Sequence, residues 1–115
     1  MSNSALVSNA EVVRALADAF RATDRQAAEQ LVAPTFHFTS PQDDHLDRAT
    51  WFEVCFPTSG HFVSHETLQV IEEGDLVFTR YEYELADGTR YRNMEASRVV
   101  DGQVVEVEVY FGGAV

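Results

Sequence analysis

Hydrophobic residues recur at helical spacing through the first third of the chain. Ser8 and Glu11 have the spacing of a capping box, so a first helix is predicted from about Asn9 to Ala22. Thr23-Asp-Arg-Gln26 repeats this pattern and predicts a short second helix, which Pro34 ends. The apolar faces of the two helices consist of Val13, Leu16, Ala17 and Phe20, and of Ala27, Ala28, Leu31 and Val32.

A third helix is predicted after a polar loop that runs from Pro41 to Leu46. Asp47 is placed as its N-cap and Pro57 as the residue that closes it. Its apolar face consists of Trp51, Phe52, Cys55 and Phe56.

Other segments alternate between apolar and polar residues, which predicts β-strands. The clearest pair flanks Asp101-Gly102, a dipeptide that accepts the positive φ angles of a type I′ hairpin turn. The predicted strands are residues 36–40, 65–72, 76–85, 90–100 and 103–111. Four consecutive strands beside segregated helices predict an α+β fold. In it, a conical, curved antiparallel sheet wraps around three N-terminal helices, and its open mouth is a natural ligand site.

Length and charge narrow the class of protein further. The 115 residues, 45% of them hydrophobic, are enough for one core, so a single domain is predicted over residues 1–115. The net charge is −11, and all eight basic residues are arginine. Such an acidic surface repels phosphate backbones and anionic lipids, so neither nucleic acid nor membrane is expected as a partner.

The location of the protein is predicted from what the chain lacks. No run approaches the roughly 18 apolar residues of a membrane span, and the N-terminus has no signal-peptide pattern. Cys55 is the single cysteine and cannot form an internal disulfide. A reducing cytoplasm is therefore the expected location.

The order of elements and three motifs resemble the nuclear transport factor 2-like superfamily, and within it the SnoaL-like and ketosteroid isomerase-like proteins. The motifs are Leu31-Val-Ala-Pro34, the strand-loop-helix from Phe36 to Phe56, and the ending from Asp101 to Phe111. The resemblance covers nearly the whole chain and implies a cystatin-like α+β roll. It does not imply one activity, because this fold hosts isomerases, cyclases, dehydratases, hydrolases and binding modules.

The catalytic triad of the resembled isomerases is only partly present. Glu95 falls on the late-strand oxyanion acid, which the family keeps protonated. Ser40 stands at the position of the family's aspartate base, and Leu16 at that of its tyrosine. Ketosteroid isomerisation by that mechanism is therefore not expected.

The resemblance also assigns the inner faces of the predicted strands. Period-2 alternation then places several residue side chains inside the cone. The expected ligand-contacting residues are Tyr81, Asn93, Tyr91, Phe38, Trp51, Val107 and Phe111. Trp51 also fits a place in the core, together with Phe52 and Phe56.

Glu95 is the first candidate catalytic residue. Burial raises the pKa of a carboxyl group, which then acts as a general acid or donates a hydrogen bond to an oxyanion. The alternative is a structural glutamate paired with Arg92, Arg98 or Tyr81.

Asp44 and His45 are the second candidate constellation, on a loop that borders the mouth of the cone in the resembled fold. A histidine oriented by a carboxylate is a standard general base. The alternative is a solvated loop in which Asp43 or Asp44 forms an Asx-turn and Asp47 caps the helix.

No metal or cofactor is expected. His61 and His65 have i, i+4 spacing, but a strand is predicted to begin at His65, so the two rings do not converge on a metal. Cys55 is interpreted as a small buried hydrophobic residue. Glycine-rich phosphate loops and nucleophile motifs are absent from the sequence.

The sequence therefore predicts a small-molecule-binding SnoaL-like protein, either a cofactor-free acid–base enzyme or a non-catalytic binding or dimeric interaction module. The substrate expected is a small, partly apolar carbonyl or polyketide-like compound. A homodimer through the outer sheet face is implied by the resemblance. The residues expected at that interface are Glu106, Glu108 and Tyr110, with Arg80, Arg90 and Arg92 as their partners.

Overall fold

Three helical segments pack against one face of a six-stranded sheet in the computed structural model, which describes residues 8–115. Residues 1–7, in which the sequence predicts no signal peptide, lie outside the described residues. The elements are α1 (Asn9–Arg21), α2 (Arg25–Leu31), β1 (Val32–Thr39), β2 (Leu46–Asp47), α3 (Arg48–Thr50), β3 (Phe62–Glu73), β4 (Leu76–Leu85), β5 (Arg90–Val100) and β6 (Gln103–Ala114).

The start of α1 confirms the capping box. The Ser8 hydroxyl accepts a hydrogen bond from the Glu11 amide at 3.1 Å, and the Glu11 carboxylate accepts one from the Ser8 amide at 2.9 Å. Helix α2 is capped by Asp24 and ends at Leu31, three residues before Pro34. Pro34 therefore lies inside β1, and the prediction that it ends the helix is wrong. A proline favours extended backbone in the residue before it, which suits a strand.

The third helical segment begins as predicted, because the Asp47 carboxylate accepts a hydrogen bond from the Thr50 amide at 2.8 Å. It is irregular beyond that point: α3 continues as a π-helical turn (Trp51–Cys55) and then a 3₁₀ helix (Phe56–His61). Pro57 lies in the first turn of the 3₁₀ helix, where its missing N–H leaves no hydrogen bond unmade. The sequence predicts that Pro57 closes the segment, and this prediction is wrong, because the 3₁₀ helix continues to His61.

The sheet has the order β2-β1-β6-β5-β4-β3. All neighbouring pairs are antiparallel except β1 and β6, which run parallel with Phe38 opposite Val107. The predicted α+β fold with three helices and a curved sheet is confirmed, while the prediction of a wholly antiparallel sheet is corrected to a mixed one. Short β2 was not predicted from the sequence, and β3 begins three residues before the predicted start.

Alternation along the strands separates an inner face, toward the helices, from an outer face. On the inner side, Val77, Val99 and Val104 are at most 2% exposed and form the core with Phe36 and Phe52. The turn after β5 has positive φ angles at both residues, 52° at Asp101 and 78° at Gly102, as the hairpin prediction requires. No helix among residues 8–115 has the length and apolar character needed to span a membrane.

Candidate active site

A cavity of about 440 Å³ lies between the helices and the inner face of the sheet. This volume is in the range of sites for small organic ligands. Its wall is mainly apolar, with aromatic rings from the first helix, the third helical segment and four strands. The aromatic lining includes Phe20, Phe38, Trp51, Phe62, Tyr83 and Phe111.

Glu95 lies on the inner face of β5 and lines this cavity. It sits deep among the protein atoms of the cone but borders the open space, so the side chain is half-buried. Burial raises the pKa of its carboxyl group, and a hydrogen bond from the Tyr81 hydroxyl lowers it in part. The raised pKa places the carboxyl closer to neutrality than an exposed glutamate, as a general acid or base requires.

Tyr81 lies on β4, diagonally opposite Glu95 on the neighbouring strand β5. In the register of these strands, Tyr81 pairs with Asn93 and Thr79 pairs with Glu95. The Asn93 amide donates a hydrogen bond to the Tyr81 hydroxyl at 3.4 Å. Both residues are less than 10% exposed. Burial, with the nearby Glu95, raises the pKa of Tyr81 far above its usual value. Tyr81 therefore remains a hydrogen-bond donor throughout the physiological pH range.

His65 is a site residue that sequence reasoning missed. Its ring stacks on that of Tyr81, with 4.9 Å between the centroids and 17° between the planes, and it lines the cavity. Burial lowers the pKa of His65 to about 4, and Arg21 acts in the same direction, so the imidazole is neutral at pH 7. Its Nδ1 atom is buried and has no hydrogen-bond partner in the described part of the chain.

The signal that identifies His65 is its alternation with Thr67 on the inner face of β3. A register shift between Phe62 and Ser64 brings Phe62 to the same face. Phe62, His65 and Thr67 line the cavity, and their partners in β4 include Tyr83 and Tyr81. The predicted strand begins at His65, and this residue was considered only as a possible metal-binding partner of His61, so its place on the inner face was not recognised. Thr79 is the second cavity-lining residue with a buried polar atom, Oγ1, that lacks a partner among residues 8–115.

The structure does not bring Asp44 and His45 to the cavity. The two side chains are paired, with 2.6 Å between Nδ1 of His45 and Oδ1 of Asp44. Both are exposed to solvent, the His45 side chain to 65% and the Asp44 side chain to 84%. The loop leaves the cavity after Asp43, and the His45 ring lies 6.2 Å from that of His37, on the exposed side of β1. The structure therefore places this predicted base pair at the surface, away from Glu95. Asp43, one residue earlier, does line the cavity.

The expected ligand contacts divide in a similar way. Six of these residues line the cavity: Tyr81, Asn93, Phe38, Trp51, Val107 and Phe111. Tyr91 does not, although it points to the inner side, because it lies near the start of β5, stacked against Tyr83 with ring centroids 5.5 Å apart. It supports the wall and does not form it.

The described residues offer little for a metal ion. No group of three or more histidine, cysteine, aspartate or glutamate side chains between residues 8 and 115 is arranged to hold one. Cys55 borders the cavity, but burial raises the pKa of its thiol to about 11, so it is protonated at neutral pH.

Solved structures with the same fold include proteins for which different functions have been proposed, and some of unknown function. IdmH from Streptomyces antibioticus, a proposed polyketide cyclase, is 22% identical over 92% of this chain and 93% of its own, with a TM-score of 0.76. AclR from Streptomyces galilaeus, a proposed hydroxylase, is 17% identical over 88% of this chain and 73% of its own, with a TM-score of 0.71. A nuclear transport factor 2-like protein of unknown function from Mesorhizobium loti is 24% identical over 98% and 96%, with a TM-score of 0.78.

These identities are all below 25%, so the likeness establishes the fold and leaves the chemistry open. No curated protein matches the chain. The family profile of the SnoaL-like domain matches residues 13–107, which is most of the chain and includes both Tyr81 and Glu95. The protein therefore belongs to the SnoaL-like domain family, within the nuclear transport factor 2-like superfamily.

Proposed function

We propose that this protein is a cofactor-independent acid–base enzyme that acts on a small, partly apolar carbonyl or polyketide-like compound. The reaction class is isomerisation, cyclisation, dehydration or hydrolysis. The observation that carries this proposal is the Glu95 carboxyl group, half-buried in an aromatic cavity with its pKa raised. Carboxyl groups with such a combination of desolvation and a specific hydrogen-bonding partner occur preferentially at functional sites.

The mechanism begins with Glu95 as the proton carrier. Its carboxylate takes a proton from the carbon beside the carbonyl group, the C–H electron pair moves toward the carbonyl oxygen, and an enolate forms. Protonated Tyr81 and neutral His65 are the cavity groups that would donate hydrogen bonds to that oxygen. Glu95 then returns the proton to another atom of the substrate, so the enzyme ends in its starting state.

The charges of the wall favour an uncharged substrate. The described residues that line the cavity include no arginine, and the chain has no lysine, whereas Asp43 and Glu95 are both acidic. A carboxylate or phosphate ligand would enter without a cationic partner, which is costly in a partly buried site. The aromatic rings favour a flat ring system instead.

Binding is tested with two probes of the same shape, 2-tetralone and 1,2,3,4-tetrahydro-2-naphthoate. Trp51 is the single tryptophan and lines the cavity, so its fluorescence reports occupancy. The neutral ketone is expected to quench Trp51 and raise the melting temperature, while the carboxylate does neither. Tighter binding of the carboxylate would contradict an uncharged substrate.

Catalysis is tested by exchange of the 2-tetralone α-protons in D₂O, followed by ¹H NMR. The protein is expected to accelerate exchange, and Glu95→Gln to remove that acceleration by roughly 10²- to 10⁴-fold, the usual contribution of a general base. Glu108→Gln, which removes a carboxylate from the outer face of β6, is the matched control and should exchange at the wild-type rate. Full exchange by Glu95→Gln would sink the catalytic proposal.

A non-catalytic ligand-binding module is the second candidate. It is favoured by the outward position of Asp44 and His45, which leaves the cavity without the histidine–carboxylate base. This candidate predicts that 2-tetralone binds while the wild-type protein does not accelerate exchange at all.

We further propose a homodimer formed by the outer face of the sheet. This face has a shallow depression lined by Leu76, Phe78, Met94, Ala96 and Tyr110, with Arg98 and Glu106 at its margin. Met94 and Tyr110 are 42% and 57% exposed, which is unusual for large apolar or aromatic side chains at the centre of a sheet. Covering this strip with a second copy would remove it from water.

The arginines expected to bind a partner have bonds within the chain. Glu82 accepts hydrogen bonds from Arg90 at 2.9 Å and from Arg92 at 2.6 Å, and Arg80 donates to Gln69 at 3.4 Å. The proposed interface therefore depends on the apolar residues of the shallow depression, such as Met94 and Tyr110. Met94→Glu is expected to convert the dimer into a monomer in light scattering, whereas Val63→Glu, at an exposed position on β3, should not. A wild-type monomer would refute this interface.

A further inference from the structure

Asn93 joins the Tyr81 hydroxyl to the backbone of β6. It is 6% exposed and makes two hydrogen bonds. The Gly112 amide donates to its side-chain oxygen at 3.3 Å, and its side-chain nitrogen donates to the Tyr81 hydroxyl at 3.4 Å. A backbone N–H can only donate, so the amide oxygen must face Gly112 and the amide nitrogen must face Tyr81.

The contact with Gly112 requires a residue without a side chain. A Cβ atom at this position would lie 2.2 Å from the backbone oxygen of Arg92, far inside van der Waals contact. The register of β5 and β6 shifts between Tyr91 and Asn93, and this bulge lies beside the close approach. Glycine thus allows the β6 backbone to reach the Asn93 side chain.

The orientation of the Asn93 amide limits what the Tyr81 hydroxyl can do. Since the hydroxyl oxygen accepts from Asn93, its own proton is available to a different acceptor. Glu95 is the acceptor offered by this face: it lies two residues from Asn93 on β5, diagonally opposite Tyr81, and is near enough for the two groups to shift each other's pKa. The His65 ring, stacked on the Tyr81 ring, restrains the tyrosine from the side of β3.

We infer that Asn93, held by the Gly112 backbone, is a positioning residue that turns the hydroxyl proton of Tyr81 toward Glu95. Its functional meaning rests on the proposed role of Glu95 as the proton carrier. While Glu95 is ionised, the Tyr81 proton stabilises the carboxylate. Once Glu95 takes a proton from the substrate, its hold on Tyr81 weakens and the hydroxyl is released to donate to the enolate oxygen. Asn93 thereby couples the Tyr81 hydroxyl to the protonation state of Glu95.

The test is a ¹³C NMR titration of the Glu95 carboxyl carbon in the ligand-free protein, which needs neither substrate nor turnover. Tyr81→Phe is expected to shift the Glu95 titration to higher pH, because the ionised carboxylate loses its donor. Asn93→Leu should shift it in the same direction by a smaller amount. The double variant should titrate like Tyr81→Phe alone, because Asn93 acts only through Tyr81. Tyr110→Phe, which removes a hydroxyl from the outer face of the sheet, should leave the titration unchanged.

An unchanged Glu95 titration in Asn93→Leu, or additive shifts in the double variant, would overturn the inference. If Asn93→Leu loses the dispersed NMR spectrum of a folded protein, Asn93→Ser takes its place, since a serine hydroxyl is too short to bridge Gly112 and Tyr81. The two proposals fail separately. Shifts as expected without proton exchange would refute the enzyme but keep the positioning role, whereas exchange that depends on Glu95 without these shifts would do the reverse.

Discussion

The two faces of the sheet hold their polar side chains in opposite ways, although they alternate along the same strands. On the inner face, the hydrogen bonds of Asn93 are long, 3.3 and 3.4 Å. The His65 Nδ1 and Thr79 Oγ1 atoms have no partner among residues 8–115, although both are buried. Glu95 is desolvated, so its pKa is raised.

On the outer face, charged groups are closely paired, and the arginines of these pairs are about half exposed. Hydrogen bonds from Arg92 and Arg90 lower the pKa of Glu82, which is the opposite of the shift at Glu95. Arg98 bonds to Asp75 at 2.7 Å. Buried polar groups without a hydrogen-bond partner are rare in protein interiors, and they concentrate where a ligand supplies the missing partner. The comparison therefore supports the proposed site inside the cone and assigns the outer charges to surface pairing.

The largest effect on stability is expected from Gly112→Ala. The added Cβ meets a backbone oxygen at 2.2 Å, and a backbone atom cannot move aside as a flexible side chain can. The free energy of unfolding should fall by roughly 3 kcal/mol or more. Gly60→Ala is the matched control, since its Cβ would have nothing within 4 Å, and should change stability by less than about 0.5 kcal/mol. Urea denaturation measures both, and equal losses would contradict the proposed close approach.

Adjacent valines on β5 compare the two faces directly. Val99 is 2% exposed on the inner face, whereas Val100 is 45% exposed on the outer face. Val99→Ala removes two buried methyl groups and leaves a cavity, so it should cost roughly 2 kcal/mol of unfolding free energy. Val100→Ala should stay within about 0.5 kcal/mol. A loss at Val100 as large as that at Val99 would show that this part of the outer face is covered in solution.

A pH-dependent effect of intermediate size is expected from His65. Its pKa is about 4 in the folded protein and about 6.5 in the unfolded chain, so between these values the unfolded chain binds more protons. The stability that His65 contributes is therefore complete above pH 6.5 and falls as the pH drops toward 4. From pH 7.5 to pH 5 the loss should be about 1 kcal/mol, allowing for the partial exposure of the ring.

His65→Phe keeps an aromatic ring against Tyr81 but does not titrate. Its stability should therefore fall less than that of the wild type between pH 7.5 and pH 5. His61→Phe, at an exposed position of the 3₁₀ helix, should follow the wild-type curve. Thermal unfolding at a series of pH values measures the difference, and parallel curves for wild type and His65→Phe would exclude a neutral, buried imidazole.

The smallest effect is expected on the outer face. Glu82→Gln removes a carboxylate that accepts from Arg90 and Arg92. The Glu82 side chain is 12% exposed, but those of Arg90 and Arg92 are 44% and 50% exposed, and ion pairs so open to water contribute little. A slight drop in melting temperature should appear at low salt and vanish near 1 M NaCl, where screening acts over about 3 Å. Glu53→Gln removes the same charge on the helical side as a control. A large, salt-independent loss for Glu82→Gln would mean that these pairs are buried in solution.

Local sequence signals were sufficient for most of the fold. The bounds of β4 and β5 agree with the prediction, and the capping box of α1 is present. These features depend on neighbouring residues, whose chemistry is visible in the sequence. The parallel pairing of β1 with β6 is not visible there, because alternation states which face a residue occupies and does not state which strand lies beside it.

The site was predictable to the extent that it depends on alternation. Alternation correctly placed three residues in the cavity, because the inner faces of β4 and β5 are continuous: Glu95, Asn93 and Tyr81. Asp44 and His45 do not reach it, because the direction of a loop depends on tertiary contacts, which no spacing rule provides. His65 was missed for a similar reason, since strand ends are the least certain part of a sequence-based assignment.

The parallel pair formed by β1 and β6 has a consequence for synthesis of the chain. Phe38 and Val107 are opposite one another in the sheet but come from opposite ends of the sequence. As the ribosome releases the N-terminal half first, α1 and α2 can pair early, while β1 has only the two-residue β2 as a strand partner until β6 has emerged. Such distant contacts slow folding, so the edge of β1 that pairs with β6 stays open until that strand has been synthesised.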